Sequence, residues 1–172
     1  RLIGPGKPLI FWLGASIPQA KYRTAEEMRC ATYLTLMHGV AGLIYHMGHE
    51  GIARESTRHW SVYSGLSREV EALFPILAAP QPGRKPRITV HPGQIHAQVR
   101  EHDNRLYLIA VNTADHLVQA TITVDSPTVT PTTIRLPFEH RDIKPQGGRF
   151  TDTFTAYEPH VYEFVQAEGK TR

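Results

Sequence analysis

Met37-His38-Gly39-Val40-Ala41-Gly42-Leu43-Ile44-Tyr45-His46 is the stretch whose reading decides the fold. It joins the end of an amphipathic segment, Ala25 to Met37, to a short apolar run by way of two glycines. That is a helix, a tight turn and a buried strand. A second apolar run, Pro8 to Leu13, precedes the helix, and a second amphipathic segment, His59 to Leu77, follows the strand. The order is therefore β, α, β, α, which belongs to α/β folds, where the loops after the strand ends carry the chemistry.

Working outward, Pro8 to Leu13 is apolar on both faces, which predicts a central parallel strand, and its proline stands at the first position, where no ladder donor is lost. Gly14 to Arg23 is expected to be a loop at the carboxyl end of that strand. Thr24 with Glu27 has the spacing of a capping box, and Glu26 and Glu27 suit the positive end of the helix dipole. Gly39 fits a left-handed residue after the last turn, and Gly42 is expected to let helix and strand approach closely. In the second helix, Val62, Tyr63, Leu66, Val70, Leu73, Phe74 and Leu77 mark one face, and Pro75 is expected to bend or end it. Leu77 to Lys85 is proline-rich and unpatterned, which places a domain boundary there: residues 1–83 and 84–172.

Beyond the boundary the period changes from about 3.6 to about 2. Seven segments alternate and are rich in β-branched residues: Arg87 to His91, Ile95 to Arg100, Arg105 to Asn112, Val118 to Val124, Thr132 to Leu136, Gly148 to Phe154 and Val161 to Val165. Turn signals such as Pro92-Gly93, Asp103-Asn104 and Gly147-Gly148 separate them, so this half is expected to be a small antiparallel β-sandwich. The fold class is α/β plus all-β.

Composition narrows the partners. The 172 residues carry a net charge of +3, with 19 Lys plus Arg against 16 Asp plus Glu, and the two signs are interspersed. No basic stripe marks a nucleic-acid surface, and no apolar run approaches the ~20 residues that span a bilayer. The single Cys30 permits no internal disulfide, leaves the compartment open, and is expected to be a buried, inert thiol. The chain opens on Arg1 in a loop that leads into a strand, so a piece of a longer polypeptide is expected.

Lys7-Pro8 before a buried strand, Tyr22-Arg23-Thr24-Ala25-Glu26-Glu27-Met28-Arg29, and His38-Gly39-Val40-Ala41-Gly42-Leu43-Ile44-Tyr45 together resemble the last two βα units of (β/α)8-barrel glycoside hydrolases. Trp60 and the helix to Leu77 are similar to the final barrel helix. The phrases Phe150-Thr151-Asp152-Thr153-Phe154 and Tyr157 to Phe164 are similar to the end of the β-sandwich that often follows such barrels. The resemblance implies a partial barrel followed by a sandwich and a carbohydrate as ligand. It also implies that a nucleophilic glutamate, where one stands at the end of the seventh strand, falls near Leu13-Gly14-Ala15-Ser16, a segment without a carboxylate. Hydrolysis of a glycosidic bond needs two carboxyl groups ~5 to 10 Å apart, so this chain alone is not expected to cut one.

The dense cluster of chemically able side chains lies between His46 and Trp60. Sugar contact is the favoured reading: His46, His49 and Glu50 hydrogen-bond hydroxyls, and Trp12 or Trp60 supplies a stacking platform. The bland alternative has Tyr45, His46 and Trp60 as packing residues. Glu50 is the one candidate acid or base, with no partner carboxylate to work with. His46, His49 and His59 raise a metal-dependent enzyme as an alternative, but their spacing matches no tight ligand signature, so neither metal nor cofactor is expected. A noncatalytic carbohydrate-binding or scaffold module is the other alternative. Asp152, Tyr157 and His160 read first as a corner-type hydrogen bond and only second as a sugar-binding face. Two parallel strands alone leave barrel edges open, so self-association or pairing with the missing barrel portion is expected.

Overall fold

A computed structural model describes residues 8–14, 16–17, 21–46, 57–83, 86–125 and 131–166. The chain divides into two compact units, Arg1–Phe74 and Pro75–Arg172.

In the first unit, β1 (Ile10–Gly14) pairs in parallel with β4 (Gly42–His46), and α1 (Ala25–Met37) is the crossover between them. The register runs without a break from Ile10↔Gly42 to Gly14↔His46, extended by Ala41 N–H donating to the Leu9 carbonyl at 2.8 Å. Within the expected loop, β2 (Ser16–Ile17) and β3 (Lys21–Tyr22) form a short antiparallel pair. Helix α1 starts where the capping box puts it: the Glu27 amide donates to Thr24 Oγ1 at 3.2 Å, and the Thr24 amide donates to Glu27 Oε2 at 2.8 Å. It ends at His38, followed by Gly39 at φ +85°.

Helix α2 (Thr57–Leu77) begins before His59 and continues past Pro75. The proline stands in the last turn and does not end the helix there. Leu13, Met28, Tyr63 and Leu66 form the core of this unit, with Ala31, Tyr45 and Val70 against it. Glu69 ties the two helices: it accepts from Arg29 Nε at 2.7 Å and from the Tyr33 hydroxyl at 2.6 Å. Burial and the neighbouring Glu69 charge push the Tyr33 hydroxyl pKa up, which keeps it a donor.

Two expectations fail in this unit. Gly42 does not mediate a helix–strand approach; a Cβ there would meet Ile10 Cγ1 at an ordinary 3.7 Å. Nor is β1 buried on both faces. Among the described residues β4 is its only neighbour, and Ile10, Phe11 and Trp12 are 58%, 44% and 64% exposed. Ile44 of β4 is exposed as well.

Among the described residues, the second unit has two antiparallel sheets. One has the order β10-β9-β12-β7-β6 and the other β11-β8-β5. The strands are β5 (Arg87–His91), β6 (Ile95–His102), β7 (Arg105–Asn112), β8 (Val118–Asp125), β9 (Pro131–Leu136), β10 (Arg141–Ile143), β11 (Arg149–Phe154) and β12 (Pro159–Gln166). Side chains from both sheets share one core, with Leu108 and Ala110 of β7, Ile122 of β8, Ile134 of β9, Phe154 of β11 and Tyr162 of β12 fully buried. Each large aliphatic side chain there contributes roughly 1.5–3 kcal/mol. Strand β10 was not anticipated, because three residues with two charges show no alternation.

Candidate functional site

Strand parity sorts the first unit into two faces. Leu13 and Tyr45 point to the helices, where the Tyr45 hydroxyl meets Thr32 Oγ1 at 3.0 Å. Residues of the other parity, Ile10, Trp12, Ile44 and His46, share the face without helices, and three of them are large exposed apolar side chains. On this face the Trp12 and His46 rings are stacked, with centroids 5.8 Å apart and planes 14° from parallel. His46 is the last residue of β4 and lies opposite Gly14. Trp12 is 64% exposed, and an exposed indole offers a flat apolar surface to a partner.

At the same strand end, Arg23 Nε donates to the Gly14 carbonyl at 3.1 Å. Arg23 stands one residue before the N-cap Thr24, so the start of α1 fixes its backbone, and its charge acts on the buried Tyr63 hydroxyl. Sequence reasoning passed over Arg23 as a loop residue. Its place between a strand-end hairpin and a helix cap was the available signal.

The other sequence candidates lie apart from this pair or outside the described residues. Trp60 is 49% exposed in the first turn of α2 and is not part of the ring stack. His49 and Glu50 lie outside the described residues, and His59 is described only as helical backbone. Among the described residues no group of three His, Cys, Asp or Glu can hold a metal ion. Cys30 is buried, and burial pushes its thiol pKa up to about 11.

Among the described residues the densest polar cluster is in the second unit. Asp152 accepts from Arg141 Nη1 at 3.0 Å, from Arg141 Nη2 at 2.7 Å and from the Tyr162 hydroxyl at 2.9 Å. Arg141 also donates to Glu139, whose other oxygen lies 2.7 Å from His160 Nδ1. His160 is 3% exposed and packs edge-on against Phe154 and flat against Tyr162. The cluster joins β10, β11 and β12 and therefore spans both sheets. Asp152 and His160 thus serve in holding the sheets together, while Tyr157, held at φ +60°, donates its backbone amide to the Ala114 carbonyl.

No protein-family model matches the chain, and no curated protein sequence matches it. By fold, the chain is similar to part of glycoside-hydrolase structures, α-amylases and α-galactosidases. It superposes on an α-amylase of Anoxybacillus with a TM-score of 0.60 at 10% identity, covering 94% of this chain and 39% of that one. The maltogenic α-amylase AmyB of Thermotoga neapolitana gives 0.58 at 12%, covering 96% and 43%. α-Galactosidase I of Mortierella vinacea gives 0.54 at 10%, covering 90% and 38%. The chain thus spans less than half the length of each of these glycoside hydrolases.

Proposed function

We propose that this chain is the C-terminal part of a glycoside-hydrolase-like protein: the last two βα units of a (β/α)8 barrel followed by a C-terminal β-sandwich, acting on or binding carbohydrate. The observation that carries the reading is the pairing of two parallel strands, helices on one face and exposed Ile10, Trp12 and Ile44 on the other, ahead of a two-sheet antiparallel unit. A barrel buries such a strand face in its interior layers and opens its carboxyl ends to ligand. The similarity to less than half of each glycoside hydrolase supports the same reading.

In this reading the stacked Trp12 and His46 contact sugar at the barrel mouth, with His49, Glu50 and Trp60 as further contacts. Among the described residues no two carboxylates meet at the strand ends, and in this reading the chain alone binds without cutting. A screen of aryl glycosides with the purified chain is expected to give no turnover, and clear turnover refutes the incomplete site. Oligosaccharide titration followed by tryptophan fluorescence is expected to respond in the chain and to weaken in W12A. The exposed barrel edge pairs with a second copy or with the missing barrel portion, and a strictly monomeric species in sedimentation velocity refutes pairing with a second copy.

A further inference from the structure

We propose that the second unit carries a pH-operated latch: His160 holds a proton on each ring nitrogen and bridges Glu139 to Glu158, and loss of the Nε2 proton as pH rises releases the turn from Thr155 to Glu158. His160 stands near the start of β12, with the strand parity of the core residues Tyr162 and Phe164, and is 3% exposed. Among the described residues, charged groups of four segments face its ring. Glu139, in the turn before β10, places Oε1 2.7 Å from Nδ1, and Asp152 of β11 places Oδ2 3.9 Å from it. Arg141 of β10 brings Nη2 to 3.1 Å from the same nitrogen. Glu158, just before β12, places Oε2 3.4 Å from Nε2. The Tyr162 hydroxyl, on β12 itself, is given to Asp152.

A guanidinium has no lone pair to offer, so the hydrogen on Nδ1 goes to Glu139, the shorter of its two contacts. Nε2 is different. It is buried and meets no hydrogen-bond partner among the described residues, and the group that faces it is the Glu158 carboxylate. A bare ring nitrogen and a carboxylate 3.4 Å apart are two acceptors with no hydrogen between them, a costly contact in a buried place. One proton resolves it. Glu158 Oε2 already accepts from the Thr155 amide at 2.7 Å and the Thr155 hydroxyl at 3.0 Å, bonds that favour the carboxylate, so the proton belongs on Nε2. Three carboxylates against one guanidinium, with the Tyr162 ring stacked at 5.9 Å, favour a cation at this position. The folded chain therefore holds a proton that an unfolded histidine gives up near pH ~6.5. A proton held in excess by the folded state stabilises fully below that value, and the contribution is lost as pH rises above it. Once Nε2 is bare, it repels Glu158, and the turn with Tyr157 at φ +60° loses its tie to the ring.

The test follows the imidazole nitrogens of the full chain by NMR, with the His160 ring assigned through its contacts with Phe154 and Tyr162. Both nitrogens are expected to be protonated at about pH 6, with Nε2 losing its proton on the alkaline side of the exposed histidines. The Thr155 amide, which donates to Glu158, reports the turn: its exchange protection factor is expected to fall at least tenfold across that step, while Leu108 and Ile122 keep theirs. Over the same range the folding constant falls by up to tenfold per pH unit, the limit for one proton. E158Q separates the latch from plain packing. Its amide oxygen can still accept from Thr155 and its NH2 can donate to a neutral Nε2, so the turn is kept while the pH response is expected to vanish. If E158Q does not fold, the ring nitrogens and the Thr155 amide of the unsubstituted chain still decide. An Nε2 without a proton at pH 6, a proton found on Glu158 instead, protection at Thr155 that ignores the step, or a pH response that survives in E158Q each overturns the proposal.

Discussion

Replacing Asp152 by alanine tests the cross-sheet cluster most directly. The carboxylate is about nine-tenths buried, with 10% of its side chain exposed, and accepts two bonds from Arg141 and one from the Tyr162 hydroxyl. Its loss leaves a buried tyrosine hydroxyl unpaired, which costs about 1–3 kcal/mol. It also frees a guanidinium that keeps Glu139 and is 36% exposed, so water recovers part of that term. A net loss of about 2–4 kcal/mol follows, below the 3–5 kcal/mol of a fully buried broken pair. For a unit of this size, that lowers the melting midpoint by roughly 10–20 °C. Urea and thermal unfolding followed by far-UV circular dichroism measure it. D152A combined with Y162F completes a cycle in which the tyrosine term cancels, so the double variant is expected to lose less than the sum. A loss under about 1 kcal/mol for D152A, or strict additivity with Y162F, refutes the claim that this cluster holds the sheets together.

Three further outcomes are expected. Burial alone would raise the Glu139 carboxyl, but the His160 hydrogen bond and the charges of His160 and Arg141 hold it below the usual carboxylate range. Its contribution is therefore present above the unfolded value of ~4.3 and is lost as pH falls through the lower folded value, and E139Q flattens that acid limb of a stability-against-pH curve. Gly148→Ala costs more than Gly147→Ala, about 2 kcal/mol against about 1, because both sit at positive φ but only a Cβ at 148 strikes backbone, 2.7 Å from the Val124 carbonyl oxygen; denaturant midpoints compare them. Cys30, with its thiol near 11 and buried, reacts with a disulfide reagent at pH 8 at least a hundredfold slower in the folded chain than in urea.

How far these features were legible in the sequence depended on whether neighbours along the chain or across it determined them. Thr24 and Glu27 announce the start of α1 because both partners lie within one turn. Arg105 to Asn112 reads as a strand with correct bounds because the run is β-rich and closed by turn residues. Where the outcome rests on distant chain, the sequence is silent. Ile10, Phe11 and Trp12 have the composition of a buried strand, but burial needs a second neighbour, and among the described residues β1 has only β4. Arg141 looks like a surface charge until β11 and β12 bring Asp152 and His160 to it. The stacking of Trp12 on His46 likewise depends on a register between residues 34 positions apart, which composition does not encode.

The position of β12 between β9 and β7 has a consequence for how the chain is made. A ribosome delivers β6 and β7 as a local hairpin and β9 with β10 as another well before residues 159–166 emerge. Until then β7, among the most buried strands of the unit, presents a bare ladder along Leu106 to Val111, and the two hairpins have no strand to join them. Unpaired apolar edges of this kind recruit other nascent chains. Strand β12 is thus a keystone that arrives after both hairpins, and the yield of folded chain depends on how long the gap between them stays open during synthesis.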